Sequence, residues 1–312
     1  MSVPSIGRFT LLLAIGIAAL AWTPWAVAEP FPLGPKACQD CHKDEYKIWE
    51  ESKHFKSYRT AHKADDAEKI AKAVGGKKSM KRNVNCVVCH YSTVQKEAGA
   101  KAKVKAGPAC ESCHGASSDW EPIHFEYGGK DVKREDETPD HKAKRIADST
   151  AAGLVWASMS YDIAHNCLKC HGLARSEIDG EAFAKMLEAG HPINQSFEIV
   201  MFSQGKMHHS LDKLSPAQLA DLFVAGQAAK LVSATEAAAK TEDAKYKAAQ
   251  TKRAADAQAV LQALPEAAEL IASPSEANAR KMMEAFGGKD LSGAIGGQIP
   301  CAGSDKENLM QC

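Results

Sequence analysis

Residues 107–115 read Gly-Pro-Ala-Cys-Glu-Ser-Cys-His-Gly, and the Cys-x-x-Cys-His unit inside this stretch occurs four times in the 312-residue chain. The unit is the attachment signature of a c-type haem, because both thiols can form thioethers with one macrocycle while the adjacent imidazole binds its iron. A single Cys-x-x-Cys would equally fit half of a zinc site or a redox dithiol. Four copies that all end in histidine favour haem. The copies are Cys38, Cys41 and His42; Cys86, Cys89 and His90; Cys110, Cys113 and His114; and Cys167, Cys170 and His171.

The composition of the motif-bearing segment predicts the fold class. Residues 38–171 are rich in Lys, Gly, Ala and Asp and contain few β-branched runs, so they cannot build an ordinary side-chain core. We therefore predict a mostly α fold in which four covalent haem c groups form the core and short helices and loops surround them. Helices that carry a motif are expected to end in it and to direct its histidine toward the iron.

The N-terminus, residues 1–28, is typical of a secretory signal peptide, with a small-residue cleavage site at Ala26-Val27-Ala28. A retained membrane anchor is the alternative, although the apolar run is short for a bilayer span. We expect a periplasmic product with a tetrahaem domain over residues 29–210 and a helical C-terminal region over residues 211–312.

Two cysteines remain outside the motifs. Cys301 and Cys312 lie close together in a Gly-containing tail, and an oxidising compartment favours a disulfide between them. A free thiol and a link to another chain are the alternatives.

Helix signals are clear both before and after the predicted domain boundary at residue 210. Asp44–Ala61 has the pattern of one helix, and Ser215-Pro216 has the pattern of a helix start with proline in the first turn. Ser233–Glu236 matches a capping box and is expected to open a second long helix. Ser275–Phe286 is predicted to be a helix closed by glycine, and Phe197–Phe202 a short strand.

The haem region resembles the tetrahaem cytochrome c-554 family, whose members accept electrons from hydroxylamine oxidoreductase in ammonia-oxidising bacteria. Residues 49–54, Trp-Glu-Glu-Ser-Lys-His, match the family pattern after the first motif, residues 107–115 match its third motif, and His124 has a counterpart there. The resemblance covers roughly residues 36–175. It implies a mostly α fold with haems in closely stacked pairs, and a five-coordinate second haem, here the one bound by His90.

Eight histidines lie outside the motifs, and four irons need at most four distal ligands. The resemblance implies that His54 serves the fourth haem and His124 the first. Our other candidates for metal ligands are His165, His191 and, from the adjacent pair at 208 and 209, His209.

The remaining histidines have other predicted roles. His62 is predicted to be a surface residue and His141 to pair with acidic neighbours. Methionine is the alternative axial ligand, and Met80 and Met159 are the conceivable ones.

The charge balance excludes a nucleic-acid partner, since the chain has 39 basic and 39 acidic side chains and haem propionates would add negative charge.

We predict a periplasmic electron carrier between redox partner proteins. The expected partners are a periplasmic oxidoreductase on one side and a soluble or membrane-bound cytochrome on the other, which includes peripheral contact with a membrane protein. The alternative is a reductase of a small nitrogen or sulfur species at one open iron. No Cys-x-x-Cys-Lys variant occurs, no catalytic residue is assigned, and the oligomeric state is left open.

Overall fold

The computed structural model describes residues 29–193, 197–202 and 214–300, and the described chain is mostly α-helical, which confirms the predicted class. The predicted signal peptide, His209, Cys301 and Cys312 lie outside the described residues. Among the described residues, no helix is both long and apolar enough to cross a bilayer. The helices are α1 Lys36–Gln39, α2 Lys43–Glu51, α3 Lys53–Thr60, α4 Ala67–Ala73, α5 Val84–His90, α6 Cys110–His114, α7 Glu121–His124, α8 Pro139–Ala151, α9 Ser160–His171, α10 Gly180–Glu188, α11 Ile199–Phe202, α12 Pro216–Ala239, α13 Ala244–Leu261, α14 Ala268–Ala272, α15 Glu276–Phe286 and α16 Ser292–Ile295.

Three of the four motifs occupy the last turn of a helix, as predicted, because α5, α6 and α9 end at the motif histidines. The expectation is wrong for the first motif, where His42 is the residue before α2 rather than the last residue of a helix. The first imidazole is therefore carried by a turn between α1 and α2.

A two-stranded antiparallel sheet lies between the second and third motifs. It pairs β1 (Ser92–Val94) with β2 (Lys103–Ala106), and Thr93 lies opposite Val104. The sequence did not predict these strands, since runs of three and four residues are too short to show alternation.

The single helix expected over Asp44–Ala61 is divided at Ser52 into α2 and α3. Ser52 adopts an extended backbone (φ −73°, ψ 161°), and its hydroxyl accepts a hydrogen bond from the Phe55 N–H at 3.2 Å. Serine thus ends one helix and caps the next, which turns α3 away from the axis of α2.

The helix start at Ser215-Pro216 is confirmed, but the predicted capping box at Ser233 is wrong. α12 continues through Ser233, which is 1 % exposed and donates its hydroxyl to the Lys230 carbonyl inside the helix. The chain breaks later, and the Asp243 carboxylate caps α13 by accepting from the Tyr246 N–H at 2.7 Å. Burial of the Ala-rich face of α12 overrides the local capping signal.

The largest hydrophobic cluster joins the fourth motif's helix to the C-terminal helices. Tyr161, Ile163 and Leu168 of α9 pack in the same core as α12 to α16. Ile199–Phe202 form the helix α11, which also packs in this core. The strand expected at Phe197–Phe202 is therefore wrong. Gly226 of α12 admits Ile199, whose Cγ2 would lie 2.7 Å from any Cβ there. The boundary at residue 210 stays a prediction.

Candidate haem-binding site

His54 is positioned by a contact between its own segment, residues 49–54, and the segment that precedes the third motif. The Trp49 indole donates to the Pro108 carbonyl at 2.8 Å, so the end of α2 lies against the segment that leads into the third motif. Gly107 permits this approach, because a Cβ there would lie 1.9 Å from the His54 carbonyl oxygen. Trp49, from residues 49–54, and Gly107, from residues 107–115, therefore both hold these two segments together.

The third motif is anchored by a carboxylate inside it. Glu111 accepts hydrogen bonds from the N–H groups of Leu33 at 2.9 Å, Gly34 at 2.7 Å and Ser117 at 3.0 Å. Gly115, directly after the motif histidine, has φ +87°, a conformation that favours glycine. The glutamate thus ties the N-terminal segment to α6, and the glycine reverses the chain behind it.

The second motif depends on Asn83, which is 2 % exposed. Its side-chain carbonyl caps α5 by accepting from the Asn85 N–H at 3.1 Å. Its amide nitrogen lies 3.0 Å from the Ala71 carbonyl, 2.8 Å from that of Gly75 and 3.0 Å from that of Lys77. One buried amide therefore connects the helix that carries His90 to the loop after α4.

Replacing Asn83 by alanine is expected to lower the free energy of unfolding by about 2–4 kcal/mol, since it removes a cap and leaves buried carbonyls unpaired. Denaturant titration of the holoprotein measures this change. Asn83→Ser is the matched control, because its hydroxyl can still cap α5 while the amide donors are lost and no charge is introduced. We expect it to retain part of the stability, and equal losses in both variants would contradict a role for the cap.

A central cavity of about 680 Å³ brings residues of the second, third and fourth motifs together. Its volume is typical of a site for a bound organic group. Met80 also lines it, whereas the Met159 sulfur accepts from the Trp156 N–H. The motif cysteines and the histidines that line this cavity are Cys86, Cys89, Cys110, Cys113, Cys167, Cys170, His54, His90, His114, His171 and His191.

Three motif histidines each face a histidine from outside the motifs. A metal–imidazole bond is about 2.0–2.1 Å long, and the ring centre lies roughly 1 Å further on. Two imidazoles that bind one iron from opposite sides therefore have centres about 6 Å apart. The observed centre separations are 6.3 Å for His42 and His124, 5.9 Å for His54 and His171, and 5.9 Å for His90 and His191. The residues thus fit a haem iron held from both sides.

The ring nitrogens of several site histidines are oriented by backbone carbonyls. A carbonyl only accepts, so the Nδ1 atom beside it carries the proton and Nε2 keeps the lone pair that a metal needs. The three pairs are His114 with Val155 at 2.8 Å, His124 with Glu121 at 2.6 Å, and His191 with Pro192 at 2.8 Å.

Desolvation keeps the imidazoles of the cavity neutral. The surrounding protein lowers the pKa of His90 and of His171 to about 4, and it also lowers the pKa of His54, whose ring is accessible from the cavity. Neutral imidazole is the form that binds a metal, so these side chains are ready to ligate at neutral pH.

Aromatic side chains pack around the first pair. Trp120 and Phe125 each meet the His124 ring edge-on, with centres 5.2 Å apart.

Arg145 donates to the His124 carbonyl at 2.7 Å and binds the Glu137 carboxylate through two further bonds of 2.7 Å. Sequence reasoning missed Arg145, because its partners are distant in the chain.

The other candidate histidines lie elsewhere. His165 is not among the cavity-lining residues, and its Nδ1 lies 3.6 Å from the Glu276 carboxylate of α15. His141 contacts Glu137 at 2.8 Å and Glu126 at 3.0 Å, which confirms its prediction as a partner of acidic side chains.

Cysteines of different motifs are in direct contact. The thiols of the first and third motifs, of the third and fourth, and of the fourth and second lie next to each other. The described residues contain no group of three or more His, Cys, Asp or Glu side chains that could hold a bare metal ion. The thiol pairs are Cys38 with Cys110, Cys113 with Cys167, and Cys89 with Cys170.

Comparison with known proteins agrees with this geometry. Residues 37–115 match the family model described as cytochrome c554 and c-prime. Cytochrome c-554 of Nitrosomonas europaea is 27 % identical over 143 residues, which cover 40 % of this chain and 60 % of that relative. No solved structure matches.

The site and these matches are those of a c-type cytochrome, the class of protein that binds haem c covalently. The resemblance to the cytochrome c554 family that the sequence showed is therefore confirmed over residues 37–115.

Proposed function

We propose that this chain carries four haem c groups and relays electrons between redox proteins in the periplasm. The observation that carries the proposal is the set of three facing imidazole pairs, with centres 5.9 to 6.3 Å apart, around the cysteines of the motifs. When bound, haem c supplies a one-electron iron couple whose potential the protein tunes. The chain's own residues fix the axial imidazoles, hold them neutral and keep the motifs in contact.

The pairs support specific axial ligands. We assign His124 to the first motif's iron, His191 to the second and His54 to the fourth. For the third motif, His165 and His209 stay the candidates from the sequence.

The thiol contacts support an order for the route that differs from the order of the motifs in the chain. First meets third, third meets fourth, and fourth meets second, so electrons would pass 1–3–4–2 or the reverse. Cys41 and His42 of the first motif are exposed, so we assign one terminus of the route to this surface. Encounters between redox proteins use small, transient interfaces.

Two measurements on the purified oxidised protein test the proposal. The mass and the haem absorbance are expected to give four haems per chain, and EPR is expected to give low-spin signals only. Fewer than four haems would contradict the count. A high-spin signal equal to one haem would favour the alternative, a reductase of a small nitrogen or sulfur species at an open iron.

A further inference from the structure

The chain segment after the fourth motif is held by one face of α13. Gly172 follows His171, and its carbonyl accepts from the Gln250 amide at 2.9 Å and from the Arg253 guanidinium at 3.1 Å. The Tyr246 hydroxyl donates to the carbonyl of Leu173. The three donors are spaced by four and three residues, so they lie on one side of the helix.

These hydrogen bonds hold a strained backbone. Leu173 has φ +50°, and within residues 29–193, 197–202 and 214–300 it is the only residue other than glycine with a positive φ. Such a conformation persists where the surroundings over-determine it. Here the α13 donors and a buried leucine side chain do so, two residues after the histidine that binds the fourth iron.

The guanidinium of Arg253 lies directly on the backbone beside His171. A Cβ on Gly172 would lie 2.4 Å from the Nη2 atom and 2.6 Å from the Leu168 carbonyl oxygen, so no larger residue fits without displacement. The absence of a side chain at Gly172 thus brings the arginine against the fourth motif.

The charge of Arg253 is buried, and the Glu198 carboxylate, which pairs with Lys230, acts on it only through space. The side chain is 1 % exposed, it makes no ion pair with the residues that the structure describes, and its Nη2 atom has no hydrogen-bond partner. Burial lowers the pKa of Arg253 to about 10, so the guanidinium still carries its proton at neutral pH. A buried charge that has hydrogen bonds but no ion-pair partner is costly for the fold, which points to a role beyond packing.

We infer that Arg253 is a positioning residue that raises the reduction potential of the haem at the fourth motif. A fixed positive charge in a medium of low dielectric constant favours the iron form that has gained an electron. The C-terminal helical region is then part of this haem's environment and makes it the electron acceptor within the route. The inference rests on the proposed function.

The test compares two variants in the intact holoprotein. Arg253→Met removes the charge. Gln250→Met removes a hydrogen bond to the same carbonyl and the amide oxygen that accepts from Arg253, but it leaves the charge in place. Spectroelectrochemical titration of Arg253→Met is expected to show one potential lowered by at least tenfold in the equilibrium constant, about 59 mV for one electron. EPR is expected to show that all haems remain low-spin, and Gln250→Met should leave the potentials unchanged.

Unchanged potentials in Arg253→Met, or an equal fall in Gln250→Met, would overturn the inference. If Arg253→Met does not retain its haems, Arg253→Gln removes the same charge and keeps a polar amide at this position. If the unaltered protein has four low-spin haems but Arg253→Met leaves every reduction potential unchanged, only the role of Arg253 is refuted. An unaltered protein with fewer haems refutes the proposed function first.

Discussion

Replacing His191 by alanine is expected to convert one of the four proposed haems from low-spin to high-spin and to make its iron accessible to nitric oxide. The His191 ring faces the His90 ring with centres 5.9 Å apart, and its Nδ1 is held by the Pro192 carbonyl. Removal of this imidazole leaves the second motif's iron without its distal ligand. EPR of the oxidised protein, before and after nitric oxide, measures the change against total haem.

The matched control is His62→Ala, which removes an exposed histidine that faces no motif imidazole. It should give the spectrum of the unaltered protein. A His191→Ala spectrum without a new high-spin signal would remove His191 from the ligands. A high-spin signal equal to one haem in the unaltered protein would mean that the second iron is open.

This result matters because the family resemblance implies an open second haem. His191 lies in the loop after α10, outside the matched residues 37–115. The loop reverses at Gly190, which has φ +103°, and then directs the imidazole into the cavity. A filled distal site leaves no iron for substrate there, so this histidine separates a relay from a reductase.

The double variant Cys167→Ala/Cys170→Ala is expected to lose one of four haems and to lower the melting temperature by about 10 °C. Leu168, between these cysteines, is 3 % exposed within the main hydrophobic cluster. An emptied interior site costs about 3–5 kcal/mol, and each kcal/mol shifts the melting temperature of a chain of this size by about 2–4 °C. Haem absorbance per chain and thermal unfolding measure the two effects.

The control is Cys38→Ala/Cys41→Ala at the first motif. It should also lose one haem, but with a smaller fall in melting temperature, since Cys41 and His42 are exposed and α1 and α2 lie outside the main cluster. Equal falls in both variants would show that stability does not depend on the core around α9. Retention of all haems in either variant would contradict attachment at that motif.

The sequence by itself determined the features that are encoded over a few residues. The four Cys-x-x-Cys-His units indicate covalent haem, the glycines and caps around Ser215 and Phe286 mark helix ends, and the composition indicates a mostly α fold. Residues 49–54 and 107–115 were sufficient to recognise the family. Each of these signals is local, because thioether attachment and helix capping both depend on spacing within one or two turns.

Only the tertiary structure decided that His191 lies against His90 and what surrounds the site histidines. His191 meets His90, and Arg253 reaches Gly172, across long separations in the chain, and no periodic pattern encodes such contacts. The same packing overrode the local signal at Ser233 by burying the face of α12. Distal ligation and buried charge arise from the way that distant helices pack, so residue spacing alone does not predict them.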